Sequence, residues 1–492
     1  MRIFEVHKNT KVPDNHVAIK FKDRVYTYGE VDTLIDKYAS FFQSIGVKKG
    51  DRVALSFPNC PEYIFSFMGA SKAGAIVVPL NMMLTLEEIA YIIMESGTNT
   101  LVVHPAIAQK IDKSQLGRLN LKNVVILDEN TISEILKMGS PQPVDIQPDE
   151  ICTYLYTSGT TGKPKGAMLT HNNFIADVKM LDEVSDLGPS DNFLTVLPLF
   201  HSFSWTVNIL LGLYLGSAIT LKEIFMPKDT LETLTKEDIT VFCGVPSMFA
   251  VLMRMAEKGQ FKALRLAISG GAPLAPEIQR GFEEKFNFPL VEGYGLSEAA
   301  PVALLNPLEP DAIRKPGSIG LPLPGVEAKI VDENDNELPV GEVGELVLRG
   351  PNIMVGYHNM PEDTAKTLRG GWLHTGDLAK KDEDGYFYIV DRLKDMIILG
   401  GFNVYPREVE DALLEHPDVL ETAVIGVGDP LKGEEVKAFV VLKGGTQADR
   451  KELQSFLKDK LASYKIPKHF EFVSELPKTP TGKINKKLLK QI

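Results

Sequence analysis

Short apolar runs alternate with amphipathic stretches along the first three quarters of the chain. Val53-Ala54-Leu55-Ser56-Phe57 and Ala75-Ile76-Val77-Val78-Pro79 read as buried strands, and Pro61 to Lys72 between them has helical spacing. Leu101-Val102-Val103 and Val124 to Leu127 continue the series, and Phe193 to Leu197, Ala218 to Leu221, Val241 to Cys243 and Leu266 to Ile268 form a second one. Strands alternating with helices predict parallel sheets wound in βαβ fashion, and two series predict two layered subdomains. Past about Gly317, strands punctuated by Gly and Pro take over, at Glu327 to Val331, Gly344 to Arg349 and Tyr386 to Val390. That spacing predicts a small β-barrel or sandwich. From Arg392 the pattern is mixed α+β, and Asp391-Arg392-Leu393-Lys394-Asp395 is a polar knot between apolar strands, a candidate hinge. The expected class is α/β: a large N-terminal domain, 1–391, of two layered βαβ subdomains plus a small β-barrel, followed by a smaller α+β C-terminal domain, 392–492.

The bulk numbers narrow the class. A chain of 492 residues, 44% hydrophobic and 24% charged, suits a soluble globular protein too long for one core. A net charge of -12 argues against nucleic-acid partners, which leave a basic footprint. Cys60, Cys152 and Cys243 are far apart, so neither a disulfide framework nor a cysteine zinc site is expected. The first residues lack the apolar core of a signal peptide, which points to a cytoplasmic protein. The longest apolar run, Thr206 to Leu221, is short for a span and carries Asn208, Gly212 and Gly216, so it reads as a buried helix and strand. At most peripheral membrane contact stays open, as do monomer and homodimer.

The stretch Tyr156 to His171, YTSGTTGKPKGAMLTH, constrains the chemistry most. Thr157, Ser158, Thr160 and Thr161 crowd around Gly159 and Gly162, and Lys163 and Lys165 follow. Glycines let backbone approach a ligand, successive N–H groups form an anion nest, and lysine supplies charge. Pro164 after Gly162-Lys163 breaks the Walker A pattern, so a nucleotide's phosphates would be held outside the usual NTPase framework. A Gly/Thr surface loop is the plain alternative. The apolar run Ile151 to Tyr156 reads as the preceding strand, and Asn172 to Leu181 as a following helix with Asn172 as its N-cap, which would put a helix N-terminus at the loop.

Four more segments stand out. Ser269-Gly270-Gly271-Ala272-Pro273 follows a strand, where paired glycines let a flat ring lie on the backbone. Glu292-Gly293-Tyr294-Gly295-Leu296-Ser297-Glu298 sets an aromatic, a hydroxyl and a carboxylate on one short turn. Gly371 to Asp377 (GWLHTGD) ends in an acid suited to ribose hydroxyls, and Thr481-Gly482-Lys483 offers a lysine near the end of the chain. Gly295-Leu296-Ser297 begins like a nucleophile elbow, but Ala299 ends the pattern and excludes it.

With the opening loop, these five segments resemble the adenylate-forming superfamily over nearly the whole chain: acyl-CoA synthetases, aryl-CoA ligases, amino-acid adenylation domains and firefly luciferase. Within it the chain looks most like the bacterial long-chain fatty acid:CoA ligases. The resemblance implies ATP, Mg2+ and coenzyme A, with Thr157, Ser158, Gly159, Thr160, Thr161 and Lys165 on the β- and γ-phosphates. It implies that Gly270, Gly271, Ala272 and Pro273, with Glu292, Gly293, Tyr294 and Gly295, enclose the adenine. Ser297, where the family usually has threonine, would meet the α-phosphate, and Glu298 with Thr157 would hold Mg2+. Asp377 would take the ribose hydroxyls, with Arg392 beside it. Lys394 matches the hinge of a mobile C-terminal lid, Lys483 would reach the α-phosphate and the attacking carboxylate, Gly400, Gly401 and Phe402 would line the thiol channel, and Asn403 would contact the nucleotide there. In isolation Glu298, Lys394 and Lys483 are ordinary surface charges; the motif context singles them out.

The acid should be chosen near Leu197 to Trp205. His201 fits the family's residue between carboxylate and phosphate, while Ser204 and Trp205 replace the aspartate by which amino-acid adenylation domains hold an ammonium. Trp205 resembles the gating tryptophan of some long-chain synthetases, and with Phe203, Val207, Val245, Met248, Ala300 and Pro301 it would line an apolar tunnel. A fatty acid suits such a tunnel, at about 0.8 kcal/mol per buried methylene. An aromatic acid of the cinnamate type, or delivery to an acyl carrier protein in place of coenzyme A, are the alternatives.

Overall fold

The computed structural model describes residues 1–109, 119–157, 163–309, 312–399, 402–429, 433–458, 460–478 and 484–490. Ser158, Gly159, Thr160, Thr161, Gly400, Gly401 and Lys483 lie outside the described residues. The chain packs as two compact units, Met1–Glu327 with Leu348–Leu373, and Ala328–Val347 with His374–Ile492.

The first unit holds two large sheets. One has nine strands in the order Leu321–Pro322, Val302–Leu305, Leu290–Gly295, Leu266–Ser269, Val241–Gly244, Asn192–Thr195, Ala218–Leu221, Val17–Phe21 and Arg24–Thr27. The six strands from Leu290–Gly295 to Val17–Phe21 are parallel, and antiparallel strands finish both edges. The other has seven, in the order Gly356–Tyr357, Lys165–Thr170, Ile151–Thr157, Ile76–Pro79, Arg52–Ser56, Thr100–Val103 and Asn123–Ile126. Helices cover the parallel strands, which explains why these read as unbroken apolar runs. Pro61–Lys72 keeps its expected bounds and is buried almost all round. Phe242, Phe249, Phe282 and Phe286 centre one core, with the Phe249 and Phe282 rings edge-to-face at 5.3 Å. The 206–221 run forms a buried helix and the strand Ala218–Leu221, as expected. No helix among the described residues is long and apolar enough to cross a membrane.

One local expectation fails. The Gly/Thr loop does not feed a helix: Lys165–Thr170 is a strand, antiparallel to Ile151–Thr157. The helix that follows, His171–Glu183, is capped by Thr170 rather than Asn172. The Thr170 hydroxyl accepts the Asn173 N–H at 3.1 Å, and the Asn173 side-chain Oδ1 accepts the Thr170 N–H at 2.8 Å, a reciprocal box that Asn172 cannot make. Six strand residues at about 3.3 Å each put the helix start some 20 Å along the chain from the loop. The expected helix N-terminus therefore does not stand at the loop.

The second unit holds a four-stranded sheet, Glu327–Val331, Gly344–Arg349, Leu373–Lys381 and Phe387–Arg392, where the small barrel was expected. It also holds a five-stranded sheet built on Val419–Asp429 and Gly433–Leu442, with Ile397–Leu399, Phe402–Val404 and His469–Phe472 completing it. Helices Pro406–Leu414 and Arg450–Lys458 bury Val409, Leu413, Leu453 and Leu457 in its core.

Candidate active site

Two hairpins bring the chemistry of the first unit together. In the first, Thr157 pairs with Lys165 and Tyr156 with Gly166. A side chain at Gly166 would press on the Tyr156 ring at 3.0 Å, so glycine there allows the close crossing. Lys165 is 8% exposed, its Nζ lies 2.5 Å from Asp363 Oδ1, and it sits 5.3 Å over the Tyr357 ring. No local pattern marks Asp363, 198 residues away, as its partner.

The second hairpin joins Leu290–Gly295 to Val302–Leu305, and its turn carries Ser297 and Glu298. A Cβ at Gly295 would overlap the Pro301 carbonyl, so this crossing admits only glycine. Three distant side chains grip the turn. Asn352 donates to the Ala299 and Val302 carbonyls at 2.9 Å each, Thr206 donates to the Ala300 carbonyl at 2.8 Å, and Asp177 accepts the Val302 N–H at 3.1 Å. Burial pushes the Asp177 carboxyl well above the usual carboxylate range, and the Val302 N–H only partly opposes it. Glu298 Oε1 accepts the Tyr357 hydroxyl at 2.8 Å and the Thr157 hydroxyl at 3.4 Å. The structure thus joins Thr157 to Glu298, as the motifs implied. Glu292 is buried and accepts the Leu274 N–H at 3.0 Å, which ties the chain after residues 269–273 to this hairpin. Gly271 takes a positive φ of 78°, and Gly270 lies against the Phe203 ring, where a Cβ would stand 3.2 Å away. Ala272 and Pro273 follow the strand Leu266–Ser269, and Gly293 and Tyr294 lie in its neighbour Leu290–Gly295.

Trp205 packs among aromatic rings. It is 2% exposed, stacks on Phe67 at 4.0 Å and 26°, and meets Tyr63 edge-on at 5.9 Å. It lies in Ser204–Leu210, a π-helical stretch, a geometry often found at functional sites. Phe203 precedes it by two residues, its neighbour Thr206 donates to the Ala300 carbonyl, and Phe203, Val245, Ala300 and Pro301 are all buried. His201 Nδ1 accepts the Phe203 N–H at 3.2 Å. The neutral ring therefore carries its proton on Nε2. Tyr63 and Phe67 lie on the helix Pro61–Lys72, and nothing in a single sequence marks that face as the one that packs on Trp205.

In the second unit Asp377 and Arg392 are register partners, and Arg392 Nε lies 2.6 Å from Asp377 Oδ1. The acid is buried and its arginine neutralises it. Lys394, exposed in the turn after Arg392, has its pKa lowered by desolvation first and by the Arg392 charge second. Burial raises the Asp391 pKa, against Lys486 and the N–H groups of Arg407 and Arg392. Asn403 is exposed on Phe402–Val404.

Among the described residues no three His, Cys, Asp or Glu side chains gather as a metal cage. One carboxylate and one hydroxyl, Glu298 and Thr157, fit a Mg2+ ion, which keeps water and substrate phosphates as most of its ligands.

The profile of the AMP-binding enzyme family matches residues 6–358, and that of the AMP-binding enzyme C-terminal domain matches residues 408–483. A long-chain-fatty-acid–CoA ligase of Bacillus subtilis is 38% identical over 97% of this chain and 92% of its own. A feruloyl-CoA synthase of an Amycolatopsis species is 36% identical over 97% and 96%. Among solved structures, ATP-bound MatB from Rhodopseudomonas palustris superposes with a TM-score of 0.94 at 32% identity, covering 100% of this chain and 99% of that one.

Proposed function

The chain belongs to the AMP-binding enzyme family, and from that premise we propose that it is a fatty acid:CoA ligase, acting on medium- or long-chain acids through an acyl adenylate. The Glu298 carboxylate, set between the Thr157 and Tyr357 hydroxyls on a turn held by three distant side chains, carries this reading.

A carboxylate is a poor acyl donor because its leaving group would be oxide. In the first half-reaction its oxygen attacks the α-phosphorus of ATP, and pyrophosphate leaves with the electron pair of the broken P–O bond. Two anions must meet, so catalysis lies in positioning and charge compensation. Glu298 and Thr157 would hold Mg2+, which supplies neutralisation of phosphate oxygens when bound. Thr157, Ser158, Gly159, Thr160, Thr161 and Lys165 hold the β- and γ-phosphates in this reading, and Ser297 the α-phosphate. Gly270 to Pro273 and Glu292 to Gly295 enclose the adenine, and Asp377 with Arg392 takes the ribose. His201, with its proton on Nε2, donates to the anion between acid and phosphate, and Lys483 balances the developing charge. In the second half-reaction the coenzyme A thiolate attacks the acyl carbon and AMP leaves. The division into 1–391 and a lid at 392–492, pivoting on Lys394, belongs to this step, with Gly400, Gly401 and Asn403 on the thiol side.

Trp205, Phe203, Val245, Ala300 and Pro301 favour an aliphatic chain. One observation favours an aromatic acid with polar substituents: the Tyr63 hydroxyl and Trp205 Nε1 are buried with no hydrogen-bond partner among the described residues. Pyrophosphate release with ATP and Mg2+, measured across aliphatic and aromatic acids with and without coenzyme A, tests the proposal. Release that peaks for fatty acids, with acyl-CoA formed, supports it. Release that peaks for hydroxycinnamates replaces the substrate, release without acyl-CoA points to a carrier protein, and no release refutes adenylation.

A further inference from the structure

Glu298 is held by donors that converge on one oxygen. Tyr357 and Thr157 both donate to Oε1, so Oε2 takes no part in either bond. Tyr357 is buried, and its phenol O–H is the donor to the Glu298 carboxylate. Its place is fixed from several sides. The strand Gly356–Tyr357 pairs with Met168 and Ala167, and the Tyr357 N–H donates to the Thr364 hydroxyl at 2.9 Å. Thr364 lies on the helix Pro361–Thr367, which also carries Asp363, the partner of Lys165. Lys165 in turn lies over the Tyr357 ring. A continuous set of contacts therefore runs from Lys165 through Tyr357 to Glu298.

We propose that Tyr357 is a positioning residue that sets the Glu298 carboxylate for a divalent cation, acting through the bond to Oε1. The proposal rests on the reading of Glu298 as the metal-bearing carboxylate. A glutamate side chain has three rotatable bonds, and freezing them at the moment of metal binding costs entropy. Charge-assisted donors that fix the rotamer beforehand remove that cost and aim the second oxygen. A tyrosine whose hydroxyl merely satisfies itself on a nearby carboxylate would contribute to the fold alone. The two roles separate in a measurement of metal affinity.

The probe is Mn2+ titrated onto the full-length protein with a non-hydrolysable ATP analogue, read by the electron paramagnetic resonance of free Mn2+. Tyr357→Phe keeps the ring under Lys165 and removes only the hydroxyl. Loss of such an outer partner weakens metal binding about 10- to 100-fold, and we expect the lower end here because Thr157 remains. Analogue binding in chelator, and the melting temperature, should match the unaltered protein, which shows that fold and nucleotide pocket survive. Glu298→Gln should remove the tight Mn2+ site, and Tyr357→Phe should add nothing in that background. Unchanged or tighter Mn2+ binding by Tyr357→Phe, or an equal loss with and without Glu298, overturns the proposal. If Glu298→Gln itself leaves Mn2+ binding untouched, the metal role of Glu298 falls and the proposal falls with it.

Discussion

Replacing Trp205 with Ala removes the largest side chain of the proposed acyl pocket. The indole is 2% exposed, stacked on Phe67 at 4.0 Å and edge-on to Tyr63 at 5.9 Å. Each aromatic contact adds about 0.5–1.5 kcal/mol to simple burial, and a buried Trp→Ala change costs about 3–5 kcal/mol in total. Part of that loss is recoverable. If the indole borders the pocket, an acyl chain entering the vacated space returns about 0.8 kcal/mol per methylene. That is about fourfold in kcat/KM for each methylene accommodated, because 1.36 kcal/mol is tenfold. The assay is kcat/KM for pyrophosphate release across saturated acids of increasing length. The variant-to-parent ratio should climb with length until the new space is full, and Trp205→Phe should give a shallower climb. A ratio that is low but flat along the series would mean that Trp205 is core, and the pocket assignment would be wrong.

Lys483→Ala should lower adenylate formation by about 10²–10³, as removal of a single transition-state charge partner does. It should spare thioester formation from preformed acyl adenylate, and equal loss in both halves would sink the assigned role. Lys394→Pro should do the reverse, so a variant that still converts acyl adenylate to thioester at the parental rate would rule out a pivot there. Asp177→Asn should raise the melting temperature at neutral pH, since Asn still accepts the Val302 N–H and carries no buried charge. The folded carboxyl has a raised pKa, so its favourable contribution is complete below the unfolded value, about pH 4, and is lost as pH rises through the folded value. The advantage of Asn should therefore vanish below about pH 4, and a variant less stable than the parent at neutral pH would contradict the argument.

Much of the architecture was legible because strands buried on both faces leave continuous apolar runs. Pro61–Lys72, Ala218–Leu221, Glu327–Val331 and Gly344–Arg349 have the bounds the pattern suggests. Lys165–Thr170 was not legible. A short stretch opening Lys-Gly has weak strand propensity, and its partner across the loop, not its own composition, makes it a strand. The same limit applies to the site. Thr157 and Glu298 were visible through their motifs, whereas Asn352, Tyr357 and Asp363 act across separations of 50 residues or more. No local pattern announces a side chain whose role is to hold another.

The pairing of Lys165 with Asp363 bears on turnover. The ammonium is already neutralised, so a phosphate that engages it exchanges one anion for another and gains only the difference between them. If Lys165 holds the β- and γ-phosphates as proposed, nucleotide capture would be weaker than the charge alone would allow. The resident carboxylate would also work in the opposite direction: once the α–β bond is cut, it would compete with pyrophosphate for the same lysine. An internal rival of this kind trades ground-state affinity for faster clearance of a multiply charged product, which would otherwise be the hardest species to release.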